Sequence, residues 1–194
     1  MGAHRFFANN FNYLCDMKKK TIREMGRMSV DEFRHSAKIP LVVMLDNVRS
    51  LNNIGSLFRT CDAFAVESIA LCGISATPPS PEIHKTALGA EDSMAWEYFA
   101  TSAEAVAHFR QLGYKIACLE QVNGSVELED FEPEPGCRYV LICGNEVDGV
   151  DQAIVDSADV WLEIPQAGTK HSLNVTVSTA IAIWEFFKKL RAKS

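Results

Sequence analysis

Apolar runs separated by segments of helical period organise most of the chain. Residues 41–45 (Leu-Val-Val-Met-Leu) hold no polar position, the pattern of a strand covered on both faces rather than one. Comparable stretches at 68–72, 115–119, 139–143 and 160–164 predict further strands, and 94–99 predicts another. The intervening segments predict helices at 54–63, where Leu57, Phe58 and Cys61 fall at helical spacing, and at 82–88, 102–112 and 152–157. Gly113 closes the third of these, and a long final helix is expected over about 173–190. Strands alternating with helices imply an α/β fold with a mostly parallel sheet flanked by helices. Residues 1–38 read as a helical N-terminal extension, in which Ser29 and Glu32 have the spacing of a capping box and Pro40 ends the region. Residues 39–194 then form one main domain.

Composition narrows the function classes. A chain of 194 residues, 47% hydrophobic and 23% charged, suits one globular domain with a sizeable core. No apolar run reaches the length of a bilayer span, and residues 1–12 lack the pattern of a signal peptide, so a cytoplasmic protein is expected. Six cysteines occur without a CxxC pair, several inside apolar runs, and read as small buried side chains. The five histidines have no zinc-site spacing, and no metal is expected. A net charge of −6 argues against a general nucleic-acid coat but leaves room for a local basic face. Lys18, Lys19, Lys20, Arg23 and Arg27 form one basic cluster, and Lys188, Lys189, Arg191 and Lys193 another; each also reads as a solvated helix face.

In such sheets ligands bind beyond the carboxyl ends of the strands. Three segments fall there: 46–59, 144–150 and 165–174. None is a GxGxxG or GxxxxGK[ST] loop, so neither a dinucleotide fingerprint nor a P-loop is present. Asn53 reads as the N-cap of the first of these helices, or with Arg59 as part of a phosphate-binding helix start. Arg59 lies about one and two-thirds turns beyond Asn53, off its face. Gly144-Asn145-Glu146 reads as a turn or as a ligand loop. Ser172 is the expected cap of the last helix, with Asn174 just inside it, and backbone amides there suit an adenine or a carboxylate.

Together the three segments resemble the motifs of the SPOUT superfamily, in its TrmH (SpoU) branch of RNA ribose 2′-O-methyltransferases. Asn53, Gly55, Arg59, Thr60 and Cys61 match the first motif, Gly144, Glu146 and Gly149 the second, and Ile164, Pro165, Gly168, Ser172, Leu173, Asn174 and Val175 the third. The set is in the family's order and spacing across about residues 40–190. Departures are few: Gln166 where Met is common, Thr176 for Ser, and Ala65 where Gly often follows the Phe.

The resemblance implies a C-terminal trefoil knot, a homodimer, S-adenosylmethionine as cofactor and tRNA or rRNA as substrate, with tRNA favoured by the basic 18–27 segment. It also implies roles. Arg59 is the base or a positioning clamp for the ribose hydroxyl, and free arginine, which holds its proton to above about pH 12, needs help to act as a base. Asn53 orients Arg59 or the ribose, and Glu146 fixes its loop or bonds Arg59. Ser172 and Asn174 hold the target nucleotide and support the knot. Backbone groups at Leu119, Gly144, Ile164 and Leu173, with Ser172, hold the cofactor. A non-catalytic RNA-binding module, and methylation of an RNA base, are the competing readings.

Overall fold

A computed structural model describes residues 18–21 and 24–191. Seven strands form a single sheet in the order β3-β2-β1-β6-β4-β7-β5, and every neighbouring pair is parallel. They are β1 (Ile39–Asp46), β2 (Val66–Cys72), β3 (Trp96–Phe99), β4 (Tyr114–Leu119), β5 (Val126–Glu127), β6 (Arg138–Cys143) and β7 (Val160–Glu163). The helices are α1 (Val30–His35), α2 (Leu51–Ala63), α3 (Pro81–Ala87), α4 (Ala90–Ser93), α5 (Ser102–Gln111), α6 (Gln152–Ser157) and α7 (Val175–Arg191).

The unbroken apolar runs have a direct cause: both sheet faces are covered. Along β1, Leu41, Val43 and Leu45 join a core with Ile54, Leu57 and Phe58 of α2 and Ile183 and Phe186 of α7. Val42 and Met44 point the other way, into a second core with Val106 and Phe109 of α5 and Ile154 of α6. A parallel sheet requires this, since crossover helices land on its faces. Burial pushes the Cys72, Cys118 and Cys143 thiols up to about 12 and raises Cys61 as well, so these cysteines are neutral packing groups at physiological pH.

Several sequence expectations need correction. Pro40 does not end the preceding region; it is the second residue of β1, beside a register shift between Ile39 and Val42, where a missing N–H is tolerated. Two short elements, α4 and β5, were not legible. The last helix begins at Val175, not 173. The capping box is present: the Ser29 N–H donates to Glu32 Oε2 (2.7 Å) and the Glu32 N–H to Ser29 Oγ (3.3 Å). Of the helical extension read over 1–38, the described part holds only α1, and residues 18–21 and 24–29 are not helical; residues 1–17, together with Arg23 and Lys193, fall outside the described residues.

Ala65 occupies the turn from α2 into β2 with φ 49°, in the left-handed region. Its N–H donates to the Asp62 carbonyl (3.1 Å) and its carbonyl accepts from the Ile39 N–H (2.9 Å), so the conformation is fixed from both sides. An L side chain is disfavoured there by about 1 kcal/mol or more, while glycine adopts it without strain. Ala65→Gly should therefore raise the thermal midpoint by roughly 2–4 °C, less the entropy glycine adds to the unfolded chain. Differential scanning calorimetry checks this, and a lowered midpoint would count against the strained turn.

Candidate cofactor site and its supporting relay

The carboxyl ends of β4, β6 and β7 open into a cavity of about 740 Å³, walled by residues 119–122, 143–150, 162–164 and 171–175. Its size falls within the range of small-molecule sites. Leu119, Gly144, Ile164, Ser172 and Leu173, the residues the resemblance assigns to the cofactor, all line it. Glu146 and Asn174 line it too, whereas Asn53 and Arg59 do not.

Asn53 touches the cavity through its walls. Its Nδ2 donates to Glu146 Oε1 (2.8 Å), and its Oδ1 accepts from Asn174 Nδ2 (3.4 Å). One carboxamide thus links all three motif segments. Glu146 does more than fix its own loop, because it also accepts from the Arg49 and Ser50 backbone N–H groups (3.2 Å each) where the chain enters α2. An anion at a helix N-terminus meets unpaired N–H groups and the positive end of the dipole. Partial burial pushes the Glu146 carboxyl up, but the Asn53 amide and the backbone N–H groups outweigh it and hold it below the ordinary range.

The caps differ from the expected ones. Ser50, not Asn53, caps α2, its hydroxyl accepting from the Asn53 N–H (3.3 Å). Asn174, not Ser172, starts α7: its Oδ1 accepts from the Thr176 N–H (2.9 Å) and hydroxyl, and its carbonyl accepts from Val177 and Ser178. Holding Oδ1 at the helix turns Nδ2 outward toward Asn53. Ser172 remains an exposed residue of the cavity wall.

Arg59 projects from the exposed face of α2, and no hydrogen bond or ion pair joins its side chain to Asn53, Glu146 or any other described residue. Gly55 is buried where α2 meets α3. Gly144 has a steric reason of its own: a Cβ there would lie 2.0 Å from the Gly149 carbonyl carbon and 2.2 Å from the Val150 nitrogen, both backbone atoms that cannot step aside.

Sequence reasoning missed two sets of residues. Buried Asp46, the last residue of β1, accepts from the Ser102 hydroxyl, the Asp151 N–H (2.9 Å) and Asn47 Nδ2 (2.8 Å), and so ties the starts of α5 and α6 to β1. A lone carboxylate closing an apolar run was the available signal. Glu120 and Gln121, beyond β4, also line the cavity; nothing in their spacing marks them. Among the described residues, no group of His, Cys, Asp and Glu is arranged to hold a metal ion, and no helix is long and apolar enough to cross a membrane.

The depressed Glu146 pKa carries a sign. A carboxylate whose folded pKa lies below its unfolded value adds stability above the unfolded pKa and loses it as pH falls through the folded value. Wild type should exceed Glu146→Gln in unfolding free energy at neutral pH, and the gap should shrink as pH drops below about 4.5. Urea unfolding at a series of pH values tests this; a gap independent of pH would contradict it.

Comparison with known proteins fits this geometry. The family profile described as the SpoU rRNA methylase family matches residues 40–184. A TrmH-family tRNA/rRNA methyltransferase of Staphylococcus haemolyticus is 24% identical over 163 residues, 82% of this chain and 64% of that protein. The 23S rRNA (guanosine-2′-O-)-methyltransferase RlmB of Vibrio vulnificus is 24% identical over 166 residues, 86% of this chain and 66% of that protein. The chain thus spans slightly under two thirds of these relatives' length. Among solved structures, the TrmH/SpoU tRNA modifying enzyme of A. aeolicus superposes with a TM-score of 0.74 at 26% identity, covering 84% of this chain and 82% of that one. An AdoMet-bound rRNA methyltransferase from Sinorhizobium meliloti gives 0.73 at 28% identity, covering 81% and 60%. A match that runs from β1 through all three site segments and into α7 leaves one conclusion: the chain belongs to the SpoU rRNA methylase family.

Proposed function

We propose that this chain is an S-adenosylmethionine-dependent RNA methyltransferase that modifies a ribose 2′-hydroxyl of tRNA or rRNA. One observation carries the reading: Asn53 joins the three motif segments, two of them lining a single ligand-sized cavity at the strand ends. The residues fit the cofactor. Leu119, Ile164 and Leu173 offer apolar surface for a purine, and Asp148 and Glu163 put negative charge beside a ligand that carries a sulfonium and an ammonium. When bound, S-adenosylmethionine supplies a methyl group on a positively charged sulfur, already activated for transfer.

The chain's own work is to present the hydroxyl and take up its proton. A ribose hydroxyl attacks only as its proton leaves. Arg59, exposed and unpaired within the described chain, is free to meet an RNA phosphate and fix the ribose; as clamp or base it is the residue on which turnover depends. Its separation from the cavity predicts a clean split. Arg59→Ala should abolish methylation while leaving cofactor affinity within about twofold. Labelled cofactor incubated with separate tRNA and rRNA pools, followed by mass spectrometry of the digested RNA, measures turnover, substrate pool and methyl position. Calorimetry measures binding. Unchanged turnover would remove Arg59 from the mechanism, a methylated base would support the alternative chemistry, and a wild type without cofactor binding would support the non-catalytic module. A cytoplasmic location accords with an rRNA or tRNA substrate.

The same reading extends to the family's knot and to a homodimer. On α7, Val177, Ile181 and Trp184 are 47%, 40% and 48% exposed at spacings of four and three residues, an apolar stripe opposite the face that packs on the sheet. A second copy covering that stripe would remove it from water. Light scattering should give twice the chain mass for wild type and the single-chain mass for Ile181→Glu/Trp184→Glu. A monomeric wild type at micromolar concentration would rule the dimer out.

A further inference from the structure

We infer that Glu120 and Gln121 form a two-armed clamp that sets the spacing of the cavity walls, and that they are positioning residues for the cofactor. The inference rests on the cofactor reading above. Leu119 is the last residue of β4, and the chain is pinned just beyond it by the Glu120 N–H donating to the Leu162 carbonyl (3.0 Å). From this fixed point the two side chains reach in different directions. Glu120 Oε2 accepts the Val150 N–H (3.1 Å), at the exit of the 144–150 loop, while its Oε1 accepts the Gln121 N–H (3.0 Å) and orients the carboxylate. Gln121 Nε2 donates to the His171 carbonyl (3.4 Å), in the wall formed by 171–175. One dipeptide therefore holds all three other walls of the cavity: 162–164 through the Glu120 N–H, 143–150 through the Glu120 carboxylate and 171–175 through the Gln121 amide.

The clamp also gives Gly149 a role. Its φ is +72°, and a Cβ there would lie 2.3 Å from Glu120 Oε2. The missing side chain leaves room for the carboxylate to reach the Val150 N–H. The loop is closed on itself by the Asn145 N–H to the Gly149 carbonyl (3.0 Å) and the Gly149 N–H to the Asn145 carbonyl (3.2 Å). It behaves as one unit, held at its tip where Glu146 bonds the start of α2 and at its exit where Glu120, just beyond β4, accepts the Val150 N–H. Releasing the exit grip frees the wall that carries Gly144 without touching the Asn53 relay.

Glu120→Ala, Glu120→Gln and Gln121→Ala in the full chain test this, with S-adenosylmethionine as the probe. Calorimetric Kd and the kinetic split between KM for the cofactor and kcat are the readouts, and thermal midpoints without ligand confirm folding. Expected are a five- to twentyfold rise in Kd and KM for Glu120→Ala and a smaller rise for Gln121→Ala. Glu120→Gln should recover part of the loss, since its carbonyl still accepts one N–H. For all three, kcat at saturating cofactor should stay within twofold. If wild type binds and the variants bind within twofold of it, the clamp is overturned and the cofactor reading stands. Equal losses for Glu120→Gln and Glu120→Ala, or a fall in kcat with KM unchanged, also overturn it. A wild type that binds no S-adenosylmethionine overturns the cofactor reading and the clamp together.

Discussion

The carboxamide of Asn53 is the joint on which the site depends. A carboxamide has a donor end and an acceptor end, and here each is committed to a different motif segment: Nδ2 to Glu146, Oδ1 to Asn174. Its direction is set from outside, because Glu146 is a carboxylate that only accepts and Asn174 has its own acceptor engaged by Thr176. Flipping either amide would set acceptor against acceptor at one of its contacts and donor against donor at the other. The three residues therefore specify one another, and none can be replaced by an isosteric group of different hydrogen-bonding sense without unpairing a neighbour.

That joint works because the sheet delivers its members to one place. With every strand parallel, all strand ends of one kind lie along one edge, and β1 and β6, neighbours in the sheet, send their loops into the same crevice. Asp46 holds this edge from beneath by tying β1 to the starts of α5 and α6. Glu146 then does locally what an N-terminal anion does for any helix, and in doing so couples the second motif loop to the first helix. Stability of the α2 start and geometry of the cavity share one carboxylate.

What was legible in the sequence follows from this layering. Two-sided burial removes polar residues from strands, so the long strands could be read directly from runs such as 41–45 and 139–143. β5, two residues long with both side chains exposed, leaves no such trace. The α7 boundary was misplaced because Ser172 and Asn174 are equally good capping types, and only the fold decides that Asn174, facing Asn53, takes the part. The motif residues carried their resemblance, but not their contacts: Glu146 could be bonded to Arg59 or to its loop, and the loop and α2 start were chosen. Glu120 and Gln121 were invisible because their partners, Val150 and His171, lie 30 and 50 residues away, and local spacing holds no record of such pairing.

Under the proposed function, the placement of Arg59 would separate cofactor binding from substrate contact, two tasks that the motif writes as one. Six residues along α2 carry it about 9 Å and some 240° around the axis from Asn53. Asn53 is turned toward the cavity walls, so Arg59 is turned elsewhere, into solvent. The separation has an electrostatic rationale. The cavity wall holds Glu120, Glu146, Asp148 and Glu163 and no lysine or arginine, a lining suited to a cationic ligand and repellent to phosphate. A guanidinium placed within it would be drawn to those carboxylates and lost to RNA. Outside it, on a helix whose start is braced by the cavity's own loop, Arg59 would stay available to a phosphate while its helix remains tied to the wall. Under the proposed function, acid inside and base outside would reconcile a net charge of −6 with a polyanionic substrate.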